Sequence, residues 1–160
     1  MDLMIKNYLE RAENEIILSV SIKKLSDDNE AKKLFNIEQQ HTFYSAVISH
    51  AYYSIFYAAK AILLTKGIET SSPDVHKKTL CAFKEHFVDT GALDVTLLEI
   101  YKKLVVRADE LLGIFKSEKK KRGDFTYSTL PQANQGPAED SIRNAKIFVS
   151  NIRKVIDTQN

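Results

Sequence analysis

Five cations in seven residues, Lys116, Lys119, Lys120, Lys121 and Arg122, come just before Phe125 and Tyr127. Cations at this density hold phosphates by releasing counterions, and aromatic rings beside them can stack bases. The stretch is therefore a candidate nucleic-acid or nucleotide site, with Lys119, Lys120, Lys121, Arg122 and Tyr127 as its contact residues. A solvated helix end is the plainer reading, because lysines favour the negative pole of a helix. Composition alone supports the two equally.

A second cluster, His50, Ser54 and Tyr57, shares a helix face through spacings of four and seven. It could be a binding or catalytic group, or a histidine hydrogen-bonded inside a bundle. Cys81, between Leu80 and Ala82, is expected to pack as a small buried hydrophobe. Metal ligation finds no pattern. His76, Cys81 and His86 are five apart, which is roughly 140° around a helix, so they diverge. No glycine-rich phosphate loop and no serine nucleophile elbow is present, and no cofactor is expected.

These residues need elements to carry them, and the elements are helical. Apolar positions recur every three or four residues, and sustained alternation is missing. Ile5, Leu9, Ala12, Ile16 and Val20 mark one face of a first helix, which weakens at Ser26 to Asn29. Residues 41–66 form a second helix, apolar on several faces, with only Lys60 and Lys66 charged; it belongs at the centre. Tyr52 and Tyr53 are adjacent and cannot face the same way, so one must reach a cleft or interface. Gly67 stops this helix. Ser72 and Pro73 are expected to cap and open a third helix, which Gly91 ends. A fourth is expected over 94–121 and a fifth after Gly136-Pro137, separated by the long stretch 123–136. The result is an all-α, up-and-down bundle of about five helices in one domain, 1–160.

Composition limits the partners. With 23 Lys and Arg against 21 Asp and Glu, the net charge is +2, so nucleic-acid contact must come from a local patch. One cysteine excludes an internal disulfide and suits a reducing, cytoplasmic setting. The apolar run near 58–64 is broken by Lys60, so no membrane span is expected. Four acidic residues before position 16 speak against a signal or transit peptide.

Ser49-His50-Ala51-Tyr52-Tyr53-Ser54-Ile55-Phe56-Tyr57-Ala58-Ala59-Lys60-Ala61-Ile62-Leu63-Leu64, followed by Lys66-Gly67-Ile68-Glu69, resembles the central helix of HEPN-domain proteins. The Lys84–Gly91 stretch and the Arg-Gly-Asp-Phe-Thr-Tyr run at 122–127 resemble later family segments. The resemblance covers about residues 43–156. It implies a helical bundle that often dimerises and associates with RNA or with a minimal nucleotidyltransferase, frequently as a toxin–antitoxin pair.

Ribonuclease members of that family use an arginine followed five to seven residues later by a histidine. Here Arg122 can stand for the arginine, but Tyr127 occupies the histidine position, and no other arginine has such a histidine. Histidine trades protons near neutrality; tyrosine, with a pKa near ~10, does not. The expectation is a non-catalytic protein that binds RNA, a nucleotide or a nucleotidyltransferase. A divergent metal-independent ribonuclease toxin and a ligand-free dimerisation module are the alternatives. A homodimer is expected, with Tyr53 or Tyr57 at its interface.

Overall fold

The structure is a computed structural model that describes residues 1–115 and 134–159. Among these, six helices and no strands occur: α1 (Leu3–Asp27), α2 (Asn29–Leu34), α3 (Tyr44–Leu64), α4 (Val75–Phe83), α5 (Val95–Leu112) and α6 (Gln135–Thr158). The all-α bundle is as the sequence implies. Its additional helix, α2, is the short resumption after the weak point. The Asp28 carboxylate caps α2 by accepting from the Glu30 and Ala31 N–H groups, which fixes the break at that residue.

α3 is the centre. Val47, Ile48, Ala51, Tyr52, Ile55, Phe56, Ala58, Ala59, Ala61, Ile62 and Leu63 are all buried, with α1, α4, α5 and α6 packed around them. Each large apolar side chain so buried contributes about 1.5–3 kcal/mol. By length and composition this helix could cross a membrane, contrary to the expectation from its broken apolar run, but two-thirds of it is covered by the bundle. From residue 50 onward its uncovered positions are His50, Tyr53, Tyr57, Lys60 and Leu64, all half-buried. Their spacing of three and four places them along one line.

α1 runs beside that stripe. Ile5, Leu9 and Ala12 face the core as expected, but Val20 is exposed and Ser19 takes the buried place. The Ser19 hydroxyl donates to the Val47 carbonyl at 2.7 Å, and Ser26 accepts from the Phe43 N–H at 2.8 Å, so two serines tie α1 to the start of α3. A drift of the buried face is natural, because the four steps from Ile5 to Val20 (four, three, four and four) run longer than a 3.6-residue period.

Three other expectations are corrected. α4 starts at Val75, not at Pro73, because Asp74 takes a left-handed backbone (φ 57°) that cannot belong to a helix. α5 ends at Leu112, not at 121, where Gly113 turns left-handed (φ 65°). Cys81 is exposed. The buried line of α4 is Thr79 and Phe83, continued by Phe87 in the π-helical turn Lys84–Val88, and Cys81 lies about 200° around the helix from Thr79. Phe83, Tyr101 and Phe148 then join α4, α5 and α6, with ring centroids 5.4–5.6 Å apart.

Candidate nucleic-acid interface

The uncovered stripe of α3 meets the polar side of α1, where Tyr8, Arg11 and Glu15 follow at spacings of three and four. The Arg11 guanidinium carbon lies 4.4 Å from the Tyr57 ring centroid. The Tyr8 ring is nearly parallel to Tyr57, with centroids 6.2 Å apart and an angle of 19°. Tyr53 continues the row, 6.3 Å from Tyr57 at 26°. One turn further, His50 Nδ1 donates to a Glu15 carboxylate oxygen at 2.5 Å. The carboxylate can only accept, so the proton of this bond sits on Nδ1, and Nε2 has no hydrogen-bond partner among the described residues.

Lys60 completes the line. Its ammonium sits 5.1 Å from the Tyr8 centroid and donates to the Thr70 carbonyl at 3.1 Å. Behind the row, His76 Nδ1 and the Tyr52 hydroxyl hydrogen-bond at 2.8 Å, and the His76 and Phe56 ring centroids lie 4.4 Å apart with the rings tilted by 33°. Burial, with Lys60 nearby, pushes the His76 pKa down, so this ring stays neutral at pH 7. Burial pushes the Tyr57 phenol up, opposed by Arg11. Tyr57 therefore remains a hydrogen-bond donor. The face thus combines aromatic rings, two cations and a histidine oriented by Glu15. It can stack bases and hold phosphates.

The structure redistributes the residues picked from sequence. Lys119, Lys120, Lys121, Arg122 and Tyr127 lie outside the described residues. Tyr53 and Tyr57 are half-buried, Tyr57 covered by Tyr8 and Arg11 from its own chain. His50 and Tyr57 do share a face, but Ser54 leaves it: that serine is fully buried and donates to the Ala51 carbonyl. Tyr8, Arg11 and Glu15 were missed. Their spacing marks a helix stripe, but only the packing of α1 on α3 shows what the stripe meets.

A second charged cluster joins α5 to α6. Asp140 accepts from Lys103 and Arg107, each at 2.8 Å, and Arg143 approaches at 3.6 Å. The Lys103 hydrogen bond, then Arg107, holds the Asp140 carboxyl below its usual range despite partial burial. Arg107 also reaches the Ser141 hydroxyl and the Pro137 carbonyl, which makes it a clamp between helices. No group of histidine, cysteine and carboxylate residues suited to a metal occurs among the described residues.

Comparison with known proteins now decides the family. The HEPN domain model matches residues 25–155. The chain belongs to the HEPN family. It is 30% identical to a UPF0332 protein of Thermotoga maritima over 129 residues, covering 81% of this chain and 82% of that one. It is 28% identical to "Putative toxin MJ0605" of Methanocaldococcus jannaschii over 146 residues, 91% of this chain and 90% of the other. "Putative toxin MJ0142" of the same organism is 42% identical over 79 residues, 49% of each chain. No solved structure matches. The HEPN match begins after Tyr8, Arg11 and Glu15, so the α1 side of the face lies outside the matched segment, whereas the α3 stripe lies within it.

Proposed function

We propose that this HEPN protein is a toxin–antitoxin-like component that binds RNA or a nucleotide without cleaving it. The observation that carries the reading is Arg11: its guanidinium is exposed, rests on the Tyr57 ring, and forms no ion pair among the described residues. A guanidinium already positioned by an aromatic ring needs little further ordering to hold a phosphate with two hydrogen bonds. Tyr8, Tyr57 and Tyr53 supply rings for bases beside it. Lys119, Lys120, Lys121, Arg122 and Tyr127, outside the described residues, enter the proposal as further RNA or nucleotide contacts on their sequence composition alone. The names of the two Methanocaldococcus relatives support the toxin class.

Lack of cleavage follows from Tyr127 in the position where ribonuclease members carry histidine. A minimal nucleotidyltransferase is the proposed protein partner. The proposal includes a homodimer in which two copies meet along α3, so that Tyr53 and Tyr57 of both line one cleft. Sedimentation at micromolar concentration is expected to show the dimer, and a monomer would remove this part.

Fluorescence anisotropy with a labelled 12-nucleotide single strand of RNA tests the core claim. Arg11→Ala is expected to weaken binding tenfold or more, the loss of a charge-assisted hydrogen bond, and to leave the circular dichroism unchanged. Added salt is expected to weaken binding of the parent protein. Unchanged affinity in Arg11→Ala would refute the reading. Cut RNA, or growth arrest on expression that Arg122→Ala abolishes, would select the ribonuclease alternative instead.

A further inference from the structure

A shallow, open concavity of about 80 Å³ lies at the end of the aromatic row, where the start of α1 meets the end of α3. That is well below the ~300–1,000 Å³ of sites that enclose a small molecule, so it offers an open platform for one face and edge of a ligand. Its apolar lining comes from Met4, Leu64 and Ile68, its ring from Tyr8, and its charges from Lys60 and Glu69. The turn after α3 builds it. Gly67 adopts φ 68°, and the Ile68 N–H returns to the Leu63 carbonyl at 3.1 Å, which brings Ile68 and Glu69 back over the helix end.

The two charges do not neutralise each other. Lys60 and Glu69 both line the pocket, yet they form no ion pair, and the Glu69 carboxylate has no hydrogen-bond partner among the described residues. Lys60 spends one N–H on the Thr70 carbonyl and keeps two. A pocket with one aromatic wall, a free acceptor pair and a separate donor suits a planar base that carries the opposite arrangement.

We propose that this pocket binds guanine, as a free guanine nucleotide or as one base of a bound RNA. The proposal deepens the RNA-binding reading above and rests on it for the phosphate contact at Arg11, one turn along α1 from Tyr8. Guanine alone among the four bases offers two adjacent donors, N1–H and the N2 amino group, which a carboxylate accepts together. Its O6 and N7 are acceptors of the kind that lysine reads. Adenine and cytosine would turn a ring-nitrogen lone pair toward Glu69, and uracil has one donor in place of two. Tyr8 stacks under any of them and so contributes affinity but no choice.

The test titrates GMP, AMP and CMP into the isotope-labelled full chain and follows the amide signals of Tyr8, Glu69 and Thr70. GMP is expected to bind at least tenfold more tightly than AMP or CMP. Glu69→Gln, an exposed position, is expected to erase that preference while leaving the circular dichroism unchanged, and Tyr8→Ala is expected to weaken all three. Equal binding of the three nucleotides, no binding of GMP, or a preference that survives Glu69→Gln would overturn the proposal. A parallel titration uses a 12-nucleotide RNA of C and U only, with and without a single G. Binding of the G-free strand without any gain from G sinks the guanine site and leaves the RNA reading standing. Binding of GMP with neither strand bound does the reverse.

Discussion

Tyr52 and Tyr101 are both fully buried, yet removing their hydroxyl groups should change stability in opposite directions. The Tyr101 hydroxyl has no hydrogen-bond partner among the described residues. In the unfolded chain water satisfies it, so folding forfeits those bonds at a cost of about 1–3 kcal/mol. Tyr101→Phe removes that penalty and keeps the ring, with its contacts to Phe83 and Phe148 at 5.6 Å. The space left by one oxygen costs about 0.2 kcal/mol, taking roughly 10 Å³ at the cavity coefficient. The net expectation is a gain of about 1–3 kcal/mol, or roughly 2–11 °C in Tm for a chain of this size. Tyr52→Phe is the control. It breaks the 2.8 Å bond to His76 Nδ1 and should cost about 1 kcal/mol. Urea unfolding of the two variants beside the parent gives both signs in one experiment, with equal m-values showing that the unfolded states are comparable. A loss of more than 1 kcal/mol in Tyr101→Phe would refute the reasoning, since it would mean that the hydroxyl is paired.

Asp140→Asn should cost about 1–2 kcal/mol, because Lys103 and Arg107 lose their shared charged acceptor. Asp140 is depressed from its ordinary 3.8 in the fold, so its contribution is present above that value and is lost as pH falls below it. Urea midpoints measured from pH 6 to pH 3 should therefore fall less steeply in Asp140→Asn than in the parent. His76 is also depressed, from 6.5, because burial disfavours its charged form. The unfolded chain then binds the proton first, so stability drops as pH falls through 6.5 toward the folded value. In His76→Gln that part of the pH dependence should disappear, and its persistence would assign the drop to another group.

The central helix was legible because its signal is local: an all-round apolar helix of more than five turns has nowhere to go but the core. Gly67 and Gly91 were legible as stops for the same reason. Gly113 was not, because Leu111 and Phe115 continue the apolar spacing across it, and periodicity outvoted the glycine. Cys81 failed differently. Its apolar neighbours in sequence, Leu80 and Ala82, point about 100° to either side on a helix, so they say little about where Cys81 itself points. Half of the candidate interface was visible in the spacing of His50 and Tyr57. Its other half was not, because His50–Glu15 and Tyr57–Arg11 join residues 35 and 46 positions apart in sequence. No periodicity encodes which face of α1 will lie against which face of α3.

That shared seam constrains how the site can be probed. His50, Tyr53 and Tyr57 are half-buried, so each helps to dock α1 on α3 as well as facing outward. His50→Ala would leave Glu15, already partly buried, without its donor, and Tyr57→Ala would remove the surface on which Tyr8 and Arg11 rest. Loss of binding in either variant would mix a weakened bundle with a weakened contact. Arg11 and Glu69 differ, because both are exposed and neither forms an ion pair among the described residues. Their charge contributes little to folding and remains available to a ligand. The groups that bind and the groups that hold the seam are thus separable along one face. A double variant, Arg11→Ala with Glu69→Gln, should unfold at the parent's urea midpoint while losing both the phosphate contact and the choice of base.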